Sequence, residues 1–251
     1  MKKILFIIGS LREGSFNRKL AEEAERMLDG RATVEYLDYS DVPMMNQDFE
    51  FPAPEAVRKV REKVAEADAL WIFSPEYNYS YPGHLKNLID WLSRPLVVGD
   101  RQTPLAISGK KVALSGAGGA SATARCREKL TELLTLPFIR AEVMTEPQTG
   151  IQLNREAWTE GRMILTEEQT ALLKSQVDSF IDFIELFNYL SIMETTVKVL
   201  ETMRSAGKPV SAGEVATLSG LDRKEVDKAF AQLKKDGAIV SPVRCKWQPA
   251  E

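Results

Sequence analysis

At 251 residues and a formal net charge of −3, the chain is longer than one ordinary α/β domain and has no block of like charge, which sets aside wholesale attraction to nucleic acid or to a membrane surface. Cys126 and Cys245 stand far apart and His84 is the only histidine, so a disulfide framework, a Cys/His zinc site and any Ser-His-Asp triad without His84 are excluded. Met1-Lys-Lys3 leads straight into an apolar run and no apolar stretch nears the roughly 20 residues of a membrane span, so the expectation is a cytoplasmic protein.

Ile4-Leu-Phe-Ile-Ile8 is a short continuous apolar run of the kind presented by a strand buried on both faces. Leu20, Ala21, Ala24, Met27 and Leu28 follow at helical spacing. Strand runs recur at 34–37, 69–73, 111–115 and 138–144. Between them lie a helix over about 55–66, a helix with Leu85, Leu88, Ile89 and Leu92 on one face, and a helix bearing Leu130, Leu133 and Leu134. Five β-α units of this sort predict an open, doubly wound parallel sheet. Ligands in such sheets bind at the carboxyl ends of the strands. The three unusual loops, at 9–17, 75–83 and 115–119, all fall at strand carboxyl ends, which points to one composite site.

From Thr166 to Ala206 the chain has neither Gly nor Pro. Thr166 with Gln169, and Ser191 with Glu194, have the capping-box spacing. The second pair predicts a helix start at Ser191 and a domain boundary just before it, dividing the chain into 1–188 and 191–251. Ser211 with Glu214 repeats the pattern, Asp222 with Glu225 offers an acidic cap, and Gly220 and Gly237 sit where helix C-caps are wanted. Three helices of about 14, 8 and 14 residues, then strand runs at 238–240 and 243–247 separated by Ser-Pro, resemble a small winged helix-turn-helix. Arg223, Lys224 and Lys228 then lie near the start of its recognition helix, among Asp222, Glu225 and Asp227. Ten Lys/Arg against eight Asp/Glu over 191–251 is a weak footprint for a DNA reader. A protein-contact or oligomerisation module is favoured, and nucleic-acid binding stays open.

The first loop carries Ser10, Arg12, Ser15 and Asn17 between a strand and a helix start. Free backbone N–H groups and the positive end of the helix dipole meet there, which makes an anion pocket suited to a phosphate. Over roughly residues 1–186 the chain resembles the NAD(P)H-dependent FMN reductase family, flavodoxin-like proteins that include quinone, azo-dye and chromate reductases. The resemblance is carried by Ser10-Leu-Arg12-Glu-Gly-Ser15-Phe-Asn17, by Pro75-Glu-Tyr-Asn78-Tyr-Ser80-Tyr-Pro82-Gly83-His-Leu85-Lys86-Asn87-Leu-Ile-Asp90-Trp91, and by Ser115-Gly-Ala-Gly118-Gly119.

That resemblance implies a five-stranded sheet of order 2-1-3-4-5, FMN as cofactor, NADPH or NADH as electron donor, a small-molecule acceptor such as a quinone or free flavin, and a homodimer or homotetramer. Trp91 and the 95–104 loop are candidate interface elements. Ser10, Ser15 and Asn17 are the implied phosphate donors, with Arg12 at the phosphate or over the ring. Pro75, Glu76, Tyr77, Asn78 and Ser80 face the isoalloxazine edge, where donors near N1 and the C2 carbonyl stabilise the reduced flavin; for Glu76 a salt bridge or turn cap is the equal alternative. Ser115, Gly118 and Gly119 form the third loop, its glycines admitting close backbone approach to a flat ring.

Hydride transfer between stacked rings asks no side chain for acid or base work and predicts ping-pong kinetics. Tyr79 and Tyr81 flank the second substrate or serve packing. His84 reads as a surface or ring-edge residue. Cys126 stands among Arg125, Arg127 and Lys129, which would lower its pKa, or is buried as a small apolar side chain. Cys245, in the wing, is a redox-sensitive thiol or core packing. The favoured activity is a flavin-dependent reductase; the alternative is a flavin-loaded redox sensor acting through the C-terminal domain.

Overall fold

The computed structural model describes residues 1–100, 103–243 and 245–250 and, for 186–192, the backbone alone. The chain divides into two compact units, 1–184 and 185–251. In the first, strands β1 (Lys2–Ile8), β2 (Ala32–Tyr36), β3 (Ala69–Phe73), β4 (Lys111–Gly118) and β5 (Glu142–Val143) form a parallel sheet in the order β2-β1-β3-β4-β5. Helices α1 (Phe16–Leu28), α2 (Glu55–Glu66), α3 (Gly83–Leu92) and α4 (Ala124–Leu134) connect them. This is the flavodoxin-like order expected.

Alternate strand residues face opposite layers. Phe6, Trp71 and Phe73 pack with Leu20 and Ala24 of α1, and with Leu173, Val177 and Phe180 of α6 (Glu167–Ala206). Leu5, Ile7, Leu70 and Ile72 pack against Val60, Leu88 and Leu130 from α2, α3 and α4. Burial on both faces is why the strand runs are continuously apolar rather than alternating. Each large side chain so buried contributes about 1.5–3 kcal/mol. Trp71 anchors one layer, its ring 5.1 Å from Phe180 and 5.2 Å from Phe73.

The far edge departs from expectation. The strand expected over 138–144 is reduced to Glu142–Val143, which pairs only with Lys111 and Val112. Residues just before it bond back to α4's end instead, with Ile139 N and Arg140 N donating to Leu136 O and Ala141 N to Leu134 O. The upper half of β4 is paired by a sixth strand, β6 (Thr149–Gln152), from Ser115↔Thr149 to Gly118↔Gln152. A short helix, α5 (Arg155–Glu160), follows.

Thr166 and Gln169 close a reciprocal cap at the start of α6, each backbone N–H donating to the other's side chain at 3.1 Å. No helix starts at Ser191, because α6 runs unbroken from Glu167 to Ala206. An N-cap needs non-helical backbone angles, and a stretch without Gly or Pro gives no reason to leave the helix. Ser191's side chain lies outside the described residues.

In the second unit, α7 (Ala212–Ser219), α8 (Arg223–Lys235) and an antiparallel hairpin of β7 (Ile239–Val243) and β8 (Lys246–Pro249) follow α6. Val199, Met203, Val215, Val226, Phe230 and Ile239 form its core. The Ser211–Glu214 capping box and the Asp222 cap are both made, and Gly220 ends α7 in the left-handed conformation. Val210 pairs with Trp247 of the hairpin through two backbone hydrogen bonds. Among the described residues no helix is long and apolar enough to cross a membrane.

Gln176 of α6 is wholly buried. Its Oε1 accepts from Ser115 Oγ (2.7 Å) and Thr149 N (2.9 Å), and its Nε2 donates to Leu114 O (2.9 Å). Q176L therefore lowers the unfolding free energy by about 2–3 kcal/mol, from buried polar groups left unpaired, to be read from urea denaturation. Glu214's carboxyl is lowered from 4.5 to about 2 by the Ser211 backbone N–H, the Ser211 hydroxyl and Lys246. Its folded pKa is the depressed one, so its contribution is complete above pH 4.5 and lost as pH falls through about 2. Thermal melts across that window show the second unit weakening toward acid, and E214Q flattens this component.

Candidate functional site

The first loop folds as its residues dictate. Ser15, almost fully buried, caps α1, its Oγ accepting from Asn17 N and Arg18 N. Ser10 Oγ accepts from Arg12 N at 3.4 Å. Neither hydroxyl donates to an acceptor among the described residues, and the N–H groups of Ser10, Leu11, Glu13, Gly14 and Phe16 have no partner there. The first turn of α1 holds no acidic residue. Arg12 lies over the Phe16 ring at 5.1 Å. The result is a cradle of donors with nothing negative inside the helix start.

Asn17 does other work than expected. It is 3% exposed, and its amide faces β4: Nδ2 donates to Ala117 O (3.1 Å) and Oδ1 accepts from Ala117 N (2.9 Å). It ties the cradle to the third loop instead of spending both groups on an anion.

The second loop begins where β3 leaves the sheet. Tyr77 and Ser80 exchange both backbone hydrogen bonds at 2.9 Å around Asn78 (φ 50°) and Tyr79 (φ 58°). Two left-handed central residues make this the tight turn otherwise typical of Asn-Gly. The turn presents Tyr77 and Tyr79, both well exposed, and leaves the N–H groups of Glu76, Asn78 and Tyr79 without a partner among the described residues. Tyr81 is instead half-buried against the core. Glu76 takes the capping alternative: Oε1 accepts from Ser121 Oγ (2.8 Å) and Oε2 from Cys126 N (2.9 Å).

In the third loop Ser115 is a correction. Its hydroxyl is 1% exposed, accepts from Trp71 Nε1 (2.9 Å) and donates to Gln176. Its one O–H is spent inside the core, so this hydroxyl has no donor left to offer a cofactor. Gly118 packs against Thr123, with room for a Cβ only 3.0 Å from Cγ2. Gly119 faces open space, where a flat group could approach the backbone closely.

Residues the sequence did not single out hold these loops in register. Ser74 is wholly buried where β3 ends. A Cβ at Gly9 would stand 2.8 Å from its Oγ, and one at Gly116 would collide with its carbonyl and with Thr123 Oγ1. Ser74 Oγ donates to Pro75 O (2.9 Å), and the Cys126 thiol donates to it at 3.3 Å. The available signal was a small residue at the end of β3 with a glycine just past β1 and another inside β4. Ala122 and Thr123 are both left-handed (φ 43° and 62°), an outlier conformation for a β-branched residue.

Burial pushes the Cys126 thiol up to about 11, so the neighbouring cations do not activate it. Cys245 is exposed, not packed in a core. His84 stacks on Tyr39 at 5.8 Å, and burial lowers its pKa from 6.5, keeping it neutral at neutral pH.

Residues 2–153 match the family model described as NADPH-dependent FMN reductase. The chain belongs to the NADPH-dependent FMN reductase family. An NAD(P)H-dependent FMN reductase of Pseudomonas aeruginosa is 36% identical over 179 residues, covering 70% of this chain and 92% of that protein. A quinone reductase of Escherichia coli strain K12 is 35% identical over 193 residues, covering 73% and 95%. The solved structure of a flavoenzyme NAD(P)H:(acceptor) oxidoreductase from Paracoccus denitrificans superimposes with a TM-score of 0.64 at 33% identity, over 74% of this chain and 98% of that one. As a member of the FMN reductase family the protein is an oxidoreductase that uses FMN and NAD(P)H. Its donor cradle and open glycine shelf fit that cofactor. Each of these three relatives leaves more than a quarter of this chain unmatched.

The two glycines separate packing from binding. G116A destabilises the apoprotein by about 1–3 kcal/mol through overpacking. G119A leaves its melting temperature unchanged and weakens FMN, measured by quenching of flavin fluorescence.

Proposed function

We propose that the protein reduces quinones or free flavin with NAD(P)H by a ping-pong mechanism, FMN lying across the three loops. The observation that supports this reading best is the meeting, at one edge of the sheet, of a donor cradle at α1 whose first helical turn holds no acidic residue, the Tyr77–Ser80 turn and the open shelf at Gly119. Ser10, Arg12 and Ser15, with the free N–H groups of their loop, hold the phosphate. Pro75 starts the loop whose Glu76 and Asn78 N–H groups face the ring edge, and the Tyr77 and Ser80 backbone fixes that turn. When bound, FMN supplies two-electron transfer, so that NAD(P)H, a proton and a quinone become NAD(P)+ and a hydroquinone. The chain's part is to hold the ring against Gly118 and Gly119 and to leave its other face open to donor and acceptor in turn.

The reading extends to a reductase domain over 1–188 and a winged-helix-like domain over 191–251 that serves assembly or partner contact. The order of α7, α8 and the β7–β8 hairpin supports it, and so does the Arg223–Asp227 ion pair at 2.9 Å, which occupies one cation of the recognition helix. A homodimer or homotetramer in the cytoplasm belongs to the same proposal. Trp91 is not one of its contacts, being fully buried with Nε1 donating to Pro43 O. Leu96, Val97 and Val98 are exposed and remain candidates, while Arg101 and Gln102 lie outside the described residues.

The test is stopped-flow bleaching of the FMN-loaded protein with NADPH and NADH separately, followed by steady-state kinetics with a benzoquinone. Fast bleaching and parallel double-reciprocal lines are expected. Tight FMN binding with negligible bleaching overturns the reductase and favours a redox sensor.

A further inference from the structure

We propose that Glu76 is a positioning residue whose carboxylate acts by geometry rather than by charge, tying the loop after β3 to the loop after β4 and so fixing the two backbone edges between which the flavin ring lies. This rests on the FMN site proposed above.

Both carboxylate oxygens are committed across the crevice, one to Ser121 Oγ at 2.8 Å and one to Cys126 N at 2.9 Å. Helix α4 has no cap of its own, since Thr123 makes no side-chain hydrogen bond to its first turn. The Cys126 N–H is one of the donors that a helix start leaves free, and Glu76 supplies its acceptor from another loop. The segment it grips is the one that needs support. Ala122 and Thr123 are consecutive left-handed residues, a conformation that persists only where the surroundings over-determine it. Local bonds hold this stretch from its own side, with Ala122 N donating to Gly119 O (2.9 Å), Ala124 N to Ser121 O (2.9 Å) and Arg127 to Ala122 O (3.4 Å), and the Glu76–Ser121 bond ties it across to the loop after β3.

Charge and position are separable at this residue. Among the described residues Glu76 forms no ion pair, and the nearby Arg125 is engaged with Glu128 at 2.8 Å. The glutamine of E76Q has the same shape and can accept from Cys126 N while donating to Ser121 Oγ. The alanine of E76A can do neither.

The experiment compares E76A, E76Q and S121A by three readouts. These are amide exchange at Cys126 in the flavin-free protein, affinities for FMN and riboflavin, and the reduction potential of bound FMN. E76A is expected to speed exchange at Cys126 and to weaken FMN and riboflavin alike by about tenfold, as the two hydrogen bonds that brace the loops are lost. E76Q is expected to restore exchange and both affinities to within about twofold, with the potential of the parent protein, and S121A to fall between. An E76Q protein as weak as E76A, or one with a shifted potential, overturns the proposal, because the charge would then act on the flavin. Unchanged Cys126 exchange in E76A overturns the tie itself. A parent protein that binds no flavin overturns the site reading beneath it, and Cys126 exchange in that protein tells the two failures apart.

Discussion

A strand that leaves a parallel sheet to make room for a ligand strands the polar groups of the neighbour it abandons, and the site depends on how this chain meets that constraint. β3 pairs with β4 as far as Phe73↔Ser115, where Ser74 N donates to Ser115 O. Beyond that point β3 turns away into the second loop. Ala117, two residues further along β4, shares Ser115's orientation and directs its N–H and C=O to the side just vacated. The Asn17 amide closes on both groups, serving as one residue's worth of missing strand. Buried backbone groups need such partners. The crevice therefore opens without orphaning the peptide groups of Ala117, and the same two hydrogen bonds fix the start of α1, and with it the donor cradle, against the third loop.

The other supports follow from that joint. Ser74 sits between two glycines that leave no room for a Cβ, so β1, β3 and β4 meet closely under the loops. Gln176 reaches in from the opposite layer to hold Ser115 and Thr149. The polar residues of the three motifs thus divide their labour. Asn17, Glu76 and Ser115 brace the loops and Ser15 caps α1, while Ser10, Arg12, the free N–H groups and Gly119 face outward. A motif marks the place of a site, but which member of it touches a ligand depends on the directions of side chains that only packing sets.

The second unit makes the same point about capping signals. Ser211–Glu214 and Ser191–Glu194 share a spacing, yet only the first caps a helix. Spacing states that two side chains could reach each other across a first turn. It does not state that the chain is non-helical before it, and the unbroken run without Gly or Pro argued against that at Ser191. At the sheet's far edge, an apolar run over 138–144 is shortened to two paired residues because the preceding segment bonds back to α4, and β6 takes the remaining length of β4.

By itself the sequence determined the first four strands, the helices that connect them and the strand order. Continuous apolar runs, helical periodicity and glycine-rich strand ends are local properties, and together they demand a parallel sheet covered on both faces with a helix start rich in free donors at its carboxyl edge. The tertiary structure decided the partners: that Asn17 would find Ala117 a hundred residues away, that Glu76 would cap a helix from another loop, and that Ser115 would face Trp71 rather than a ligand. These are contacts between groups distant in the chain, set by the register and twist of strands. No local pattern of residues encodes which distant hydrogen-bonding group will lie within 3 Å once the core has packed.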